Sequence, residues 1–309
     1  MRQSRPNLLN FFYLLSSGLF ISLLGTVYRI WLARKIGPEG LGIFQMTYPV
    51  YRLLSGVAAL GLPMALTKWV AEYLAGKEFA EIIAFKKWAV KIVAGSSLAT
   101  MGLLIAATPF LSKFPFTDPR VLTAFYIVAP AIPFSALAAI YRGYYQGFSL
   151  MAPTAVSEVA EQLMEIGVTW FGLTFFLPFH PDAGFIYPVL GLTAGEVTCL
   201  ISLLFFNRAE DSIKRDSPVQ PTFSGIEALH FSWPLLLNQI TVAAGLAGES
   251  VLIPHLLMAK GYSVAQSTKL FGVLEGMASP VAFFPLIFIF PLATVLAPQV
   301  SSAKKTRAF

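Results

Sequence analysis

The chain has 309 residues, 56% of them hydrophobic and 12% charged, with a mean hydropathy of +0.68. Soluble domains carry about a quarter charged residues, so this composition excludes a water-soluble globule and points to an integral membrane protein. The net charge of +6 reads as basic decoration of cytoplasmic loops and not as a nucleic-acid footprint, so no nucleic-acid partner is expected.

A helix needs about 20 apolar residues to cross the hydrocarbon layer. Eight such runs follow in order, at 8–33, 41–67, 88–111, 119–141, 153–178, 184–206, 231–258 and 268–298. The first is too long for a signal-peptide core and no small-residue cleavage site follows it, so it is kept as a span. The turn Ile36-Gly37-Pro38-Glu39-Gly40 separates spans one and two. Residues 75–87 mix Lys77, Glu78, Glu81, Lys86 and Lys87 with Phe79, Ile82 and Ile83, the composition of an amphipathic surface segment. Turns at 115–119 and 180–184 punctuate the middle of the chain, and 207–222 is the longest polar stretch. The expected architecture is therefore an all-α integral membrane protein of about eight transmembrane helices. Residues 1–208 form a six-helix lobe, 209–230 a cytoplasmic lobe-connecting segment, and 231–309 the first two helices of a second lobe. With the N-terminus placed in the cytoplasm, fourteen of the 22 Lys and Arg fall on the inner side and six on the outer, which favours that orientation.

Several polar side chains fall inside these runs. A charge at the bilayer centre costs about 2.5–3.5 kcal/mol on insertion scales, so such residues face a bundle interior or a wet cavity. Arg29 and Arg52 lie in the first two spans, and Glu158, Glu161 and Glu165 form one stripe of the fifth, with Gln162 beside them. Glu196, Asn238, Gln239, Glu249 and Glu275 occupy later spans. A guanidinium offers a flat fork of donors to phosphate oxygens, and the acids suit a coupling cation or a proton. The cavity candidates are Arg29, Arg52, Gln162, Glu165, Glu196, Asn238 and Glu249. The competing structural reading is that Arg and Glu neutralise one another and fix helix packing, with Arg29 snorkelling to the interface.

Cys199 stands alone in an apolar run and His180, His230 and His255 are scattered, so no disulfide framework, metal site or cofactor is expected. Walker and dinucleotide fingerprints are absent from the sequence. Nine prolines, from Pro49 to Pro291, interrupt the spans and predict kinks. Spans 1–2 and 7–8 share a short Lys/Gly turn and a closing Pro-x-Ala step, Pro63-Met64-Ala65 and Pro291-Leu292-Ala293, the trace of a parallel repeat.

Three segments are more distinctive. They are Leu32 to Gln45 around the Gly-Pro-Glu-Gly turn, Leu60-Gly61-Leu62-Pro63 to Lys68, and Arg142-Gly143-Tyr144-Tyr145-Gln146-Gly147 leading to Pro153-Thr154-Ala155 and Glu161-Gln162. Together they resemble the stage V sporulation protein B and polysaccharide-transporter branch of the multidrug/oligosaccharidyl-lipid/polysaccharide (MOP) exporter superfamily. The resemblance implies two six-helix lobes arranged as a V around a central cavity, with alternating access and no catalysis. It implies polyprenyl-diphosphate-linked sugars, peptidoglycan precursor among them, as cargo, and a role in cell-envelope or spore-cortex synthesis at the plasma membrane. Basic residues of the first two helices line the cavity in related flippases, and Arg29 and Arg52 lie in the corresponding regions. Such proteins have twelve to fourteen helices, so the chain is expected to be truncated at its C-terminus. Its partners would then be the lipid bilayer, the lipid-linked sugar and a second polypeptide supplying the missing helices.

Two other functions compete. A cation-coupled drug or metabolite antiporter of the same superfamily would rest on Glu165, Glu196 and Glu249. A membrane-embedded glycosyl or phosphoryl transferase would need acidic or histidine clusters on loops, for which the sequence offers only His180 with Asp182 and Glu210 with Asp211.

Overall fold

A computed structural model describes residues 8–111, 116, 118–179, 183–208 and 224–285, and among them every regular element is a helix. Helix α1 (Leu8–Ala58) is two rods joined at Gly37, whose φ of 69° and ψ of 176° lie outside helical values. Glycine carries this conformation without a Cβ penalty, and Pro38 restarts the helix with its φ already set. The expected turn between spans one and two is thus this single residue.

The second rod does not run straight to residue 67. Leu60 and Gly61 take positive φ, and α2 (Leu62–Gly76) leaves at 43°. The backbone carbonyl of Ser232 would lie 2.6 Å from a Cβ at Gly61, so the bend also lets the backbone at Ser232 approach. Residues 75–87 are not a separate surface segment. They are the end of α2, the turn at Lys77, and the first turns of α3 (Phe79–Leu111), where Ile82 and Phe85 are fully buried. The span expected at 119–141 is likewise broken, into α4 (Arg120–Val128) and α5 (Ala131–Gly147), bent by 44° beside Pro130.

Helices α6 (Ala152–Phe175) and α7 (Ile186–Arg208) form the most extensive pair. Gly191 and Gly195 of α7, four residues apart, meet the backbone carbonyls of Glu165 and Glu161, the small-residue contact by which membrane helices close together. The Arg-Gly-Tyr-Tyr-Gln-Gly block has the same logic: a side chain at Gly143 would collide with the carbonyl of Pro63, and one at Gly147 with Val70, so α5 sits directly on α2. Helix α8 (Gly225–Ala259) begins at the N-cap Ser224, inside the stretch expected as a connecting segment. A Ser263/Gln266 capping box then opens α9 (Val264–Phe271), followed by a π-helical stretch at Gly272–Ala278 and α10 (Ser279–Ala282). The remainder of the run expected at 268–298 lies outside the described residues, as does most of 209–230.

Among the described residues, α3, α7 and α8 are each long and apolar enough to cross a bilayer, and the two bent pairs raise this to five. The two rods of α1 follow one another at Gly37, three carboxylates interrupt α6, and the described part of the eighth run passes through a π segment. The main core packs Ile43, Met46, Tyr51, Phe85, Phe125, Ile132 and Tyr145, all at 0–1% exposure, between the second rod of α1 and α2, α3, α4, α5 and α7. Outside it, Leu103, Phe110, Phe171, Phe175 and Phe205 are exposed, as helices facing lipid require.

Candidate functional site

A polar cavity of about 120 Å³ lies between the two rods of α1, helix α6 and the π-helical stretch. The rods contribute matching stripes on either side of Gly37. Gly25, Tyr28, Arg29 and Leu32 come from the first, and Leu41, Phe44, Gln45 and Tyr48 from the second. Both stripes follow the three- and four-residue spacing of one helix face. Gln162 and Glu165 close the wall from α6, and Gly276 closes it from the π stretch.

Hydrogen bonds fix the walls to one another. The Tyr28 hydroxyl and Thr169 Oγ1 are 3.0 Å apart, joining the first rod to α6. Gln45 Nε2 donates to the Glu275 carbonyl at 2.9 Å, joining the second rod to the π stretch. The charges of Arg29, Glu161 and Glu196 all reach Glu165, and those of Arg29 and Arg52 reach Tyr48. One guanidinium, one carboxyl, two phenols and two amides thus face a single polar volume. Its volume has room for several waters, and its lining offers donors suited to an anionic group.

Three of the seven expected cavity residues meet here: Arg29, Gln162 and Glu165. Arg52 lies one helical turn beyond Tyr48 and is exposed, without lining the cavity. Asn238 and Glu249 sit on the exposed face of α8, also outside it, while Gln239 lies against Gly56 of α1. Glu196 is 3% exposed and buried between helices. Its Oε1 accepts from the Tyr51 hydroxyl and, at 3.1 Å, from Ser135 Oγ, while its Oε2 has no partner among the described residues.

The glutamate stripe divides. Arg142, expected on an inner loop, lies within α5. Its Nη2 donates to Glu161 Oε2 at 3.0 Å and approaches Cys199 Sγ at 3.0 Å, and its Nη1 lies 3.9 Å from Glu158 Oε1. Charge neutralisation therefore accounts for Glu158 and Glu161, and the cavity claims Glu165. The expected set left out Tyr28, Gln45 and Tyr48. The signal for them was their register with Arg29 across the Gly37 turn.

A multi-pass helical bundle, kinked about a polar cavity, defines a membrane protein built on the fold of the MOP exporters. The chain belongs to the polysaccharide biosynthesis protein family, whose model matches residues 8–304. It is 28% identical to stage V sporulation protein B of Bacillus subtilis (strain 168) over 301 residues, covering 95% of this chain and 58% of that protein. Sporulation protein YkvU of the same organism is 24% identical, over 92% of this chain and 63% of its own length. The lipid II flippase MurJ, again from that organism, is 27% identical over 163 residues, covering 50% of this chain and 30% of the flippase. The chain thus spans about three fifths of the length of the two sporulation proteins. Among solved structures, an inward-facing multidrug resistance MATE family transporter of the MOP superfamily superposes with a TM-score of 0.60 and 12% identity, covering 88% of this chain and 60% of that one.

Proposed function

We propose that the chain works in a transporter that moves a lipid-linked sugar across the plasma membrane by alternating access, with the diphosphate of the cargo received in the cavity at Arg29. The observation that carries this reading is the convergence of Arg29, Tyr28, Tyr48, Gln45 and Gln162 on one cavity within a helical bundle. Membership of the polysaccharide biosynthesis family and similarity to a lipid II flippase support the cargo class. Glu165 balances the guanidinium in the empty cavity and yields it to the phosphate. Arg52, exposed one turn along the same rod, meets the cargo at the rim. The reading includes an N-terminus in the cytoplasm and a first lobe ending near residue 208, with α8 opening a second lobe. The work is transport, with no bond made or broken.

The test is binding of a fluorescent polyprenyl-diphosphate sugar to the purified chain. Its translocation in proteoliposomes would follow, with and without a polypeptide bearing further helices. Arg29→Ala is expected to weaken binding about tenfold, the effect of losing a charge-assisted hydrogen bond, and Arg52→Ala less. Equal binding by wild type and Arg29→Ala would rule this site out.

One observation favours the antiporter alternative. Glu196 is buried with one carboxyl oxygen lacking a partner among the described residues, the state of a group that carries a proton or cation. Uptake of an organic cation driven by a proton or sodium gradient, and abolished by Glu196→Gln, would establish that reading instead.

A further inference from the structure

Three distant segments meet at the end of the cavity beyond Leu32 and Leu41. They are the Gly37 turn of α1, the chain leading into α4, and α9. Asp118, 1% exposed, is their hub. Its Oδ1 accepts from the Arg120 amide at 3.0 Å and from Arg120 Nε at 3.1 Å. Its Oδ2 accepts from Arg120 Nη2 at 2.8 Å and from Thr268 Oγ1 of α9 at 3.1 Å. The same Nη2 also pairs with Glu39, next to Pro38 in the turn.

Around this hub the backbones touch. A side chain at Gly42 would collide with the Thr268 carbonyl, and one at Gly272 with the Pro38 carbonyl. Thr268 therefore meets α1 through its backbone and Asp118 through its side chain, and it is itself fully buried. This contact is short: Asp118 and Thr268 are buried within it, Arg120 and Glu39 stand partly exposed at its edge, and the one carboxylate takes four donors. Removing a donor strands part of a buried charge.

We propose that Asp118, Arg120, Glu39 and Thr268 form a polar latch that joins α9 to the Gly37 turn and seals this end of the cavity, and that it must part before cargo can pass here. The latch gives the transporter reading its gate and rests on that reading for its purpose, though not for its geometry. Hydrogen bonds and the charge of Arg120 outweigh the burial of Asp118, holding its carboxyl below its usual range. Neutral or mildly acidic surroundings therefore leave the latch charged, and opening requires α9 to move.

Gly25 provides the reporter. It lines the cavity, and a Cβ there would meet only Gln162 Oε1, at 3.8 Å, so Gly25→Cys fits without displacement. A membrane-impermeant maleimide is applied to sealed vesicles in the orientation where a Lys35→Cys control labels, which marks the face of the Gly37 turn. Slow labelling of Gly25→Cys is expected in the otherwise native chain. Labelling about tenfold faster is expected on adding Thr268→Val or Asp118→Asn, the loss of one hydrogen bond to a charge. Should Asp118→Asn fail to fold, Thr268→Val decides alone, since it keeps the side-chain shape and removes only the link to α9. Unchanged labelling in a folded Thr268→Val protein overturns the latch. Faster labelling in a protein that neither binds nor moves a lipid-linked sugar keeps the latch and overturns the cargo.

Discussion

Arg142 shows how much one side chain organises. Its guanidinium faces Glu158, Glu161 and Cys199 from the middle of a helix sandwich, and its Nε has no partner among the described residues. Removing one member of a half-buried pair leaves the other charge poorly satisfied, at a cost of about 1–3 kcal/mol. Arg142→Ala should therefore lower the melting temperature in detergent sharply. Adding Glu161→Gln should restore part of the loss, because the stranded charge is then gone. A double variant no more stable than the single one would remove this pair as the cause. Asp118 gives a pH prediction. Its carboxyl is buried, which alone would raise its pKa, but the side-chain and amide hydrogen bonds of Arg120 win and depress it below 3.8. A depressed carboxyl contributes stability in full above its unfolded pKa and loses it as pH falls through the folded value. Thermal unfolding midpoints should therefore hold from neutrality to about pH 4 and fall below that, with a shallower fall in Asp118→Asn.

At the scale of the element, glycine placement separates helices that touch from helices that face lipid. Gly143 presses on the Pro63 carbonyl, whereas a Cβ at Gly102 in α3 would meet nothing within 4 Å. Gly143→Leu should abolish accumulation of folded protein, and Gly102→Ala should be neutral or stabilising, since alanine is the better helix former by about 1 kcal/mol. Expression followed by size-exclusion profiles tests the pair. The same elements show what could be read from sequence. Long apolar runs and the Gly37-Pro38 turn were plain, because burial in lipid imposes them directly. The breaks at 59–61 and 129–130 were not. Proline marks candidates for kinks, but whether a helix bends depends on a neighbour such as Ser232 filling the gap. Residues 75–87 misled because charge on one face looks alike on a surface helix and on the first turns of a span. At the site, Arg29, Gln162 and Glu165 were legible as polar residues out of place. Arg142 was not, because the expected run stopped at residue 141, six residues short of the end of α5 at Gly147.

The whole molecule poses a question of direction. Helices α3, α7 and α8 are long and apolar enough to span a bilayer, and the basic residues are unevenly distributed among the turns between helices. Lys77, Lys86, Lys87 and Lys91 gather where α2 turns into α3, and Lys86 lies over the rings of Tyr144 and Tyr141 at the end of α5. The opposite end carries Arg34 and Lys35 beside the Gly37 turn. Basic side chains are retained on the cytoplasmic side during insertion, so the proposed orientation puts the richer end inside and the latch end outside. Lys35 and Lys87 are both exposed and stand at opposite ends, so each can report its own side. In intact cells an impermeant maleimide should label Lys35→Cys and spare Lys87→Cys until the membrane is opened. The reverse pattern would invert the molecule, place the Gly37 turn in the cytoplasm, and make the seal over the cavity an inner gate.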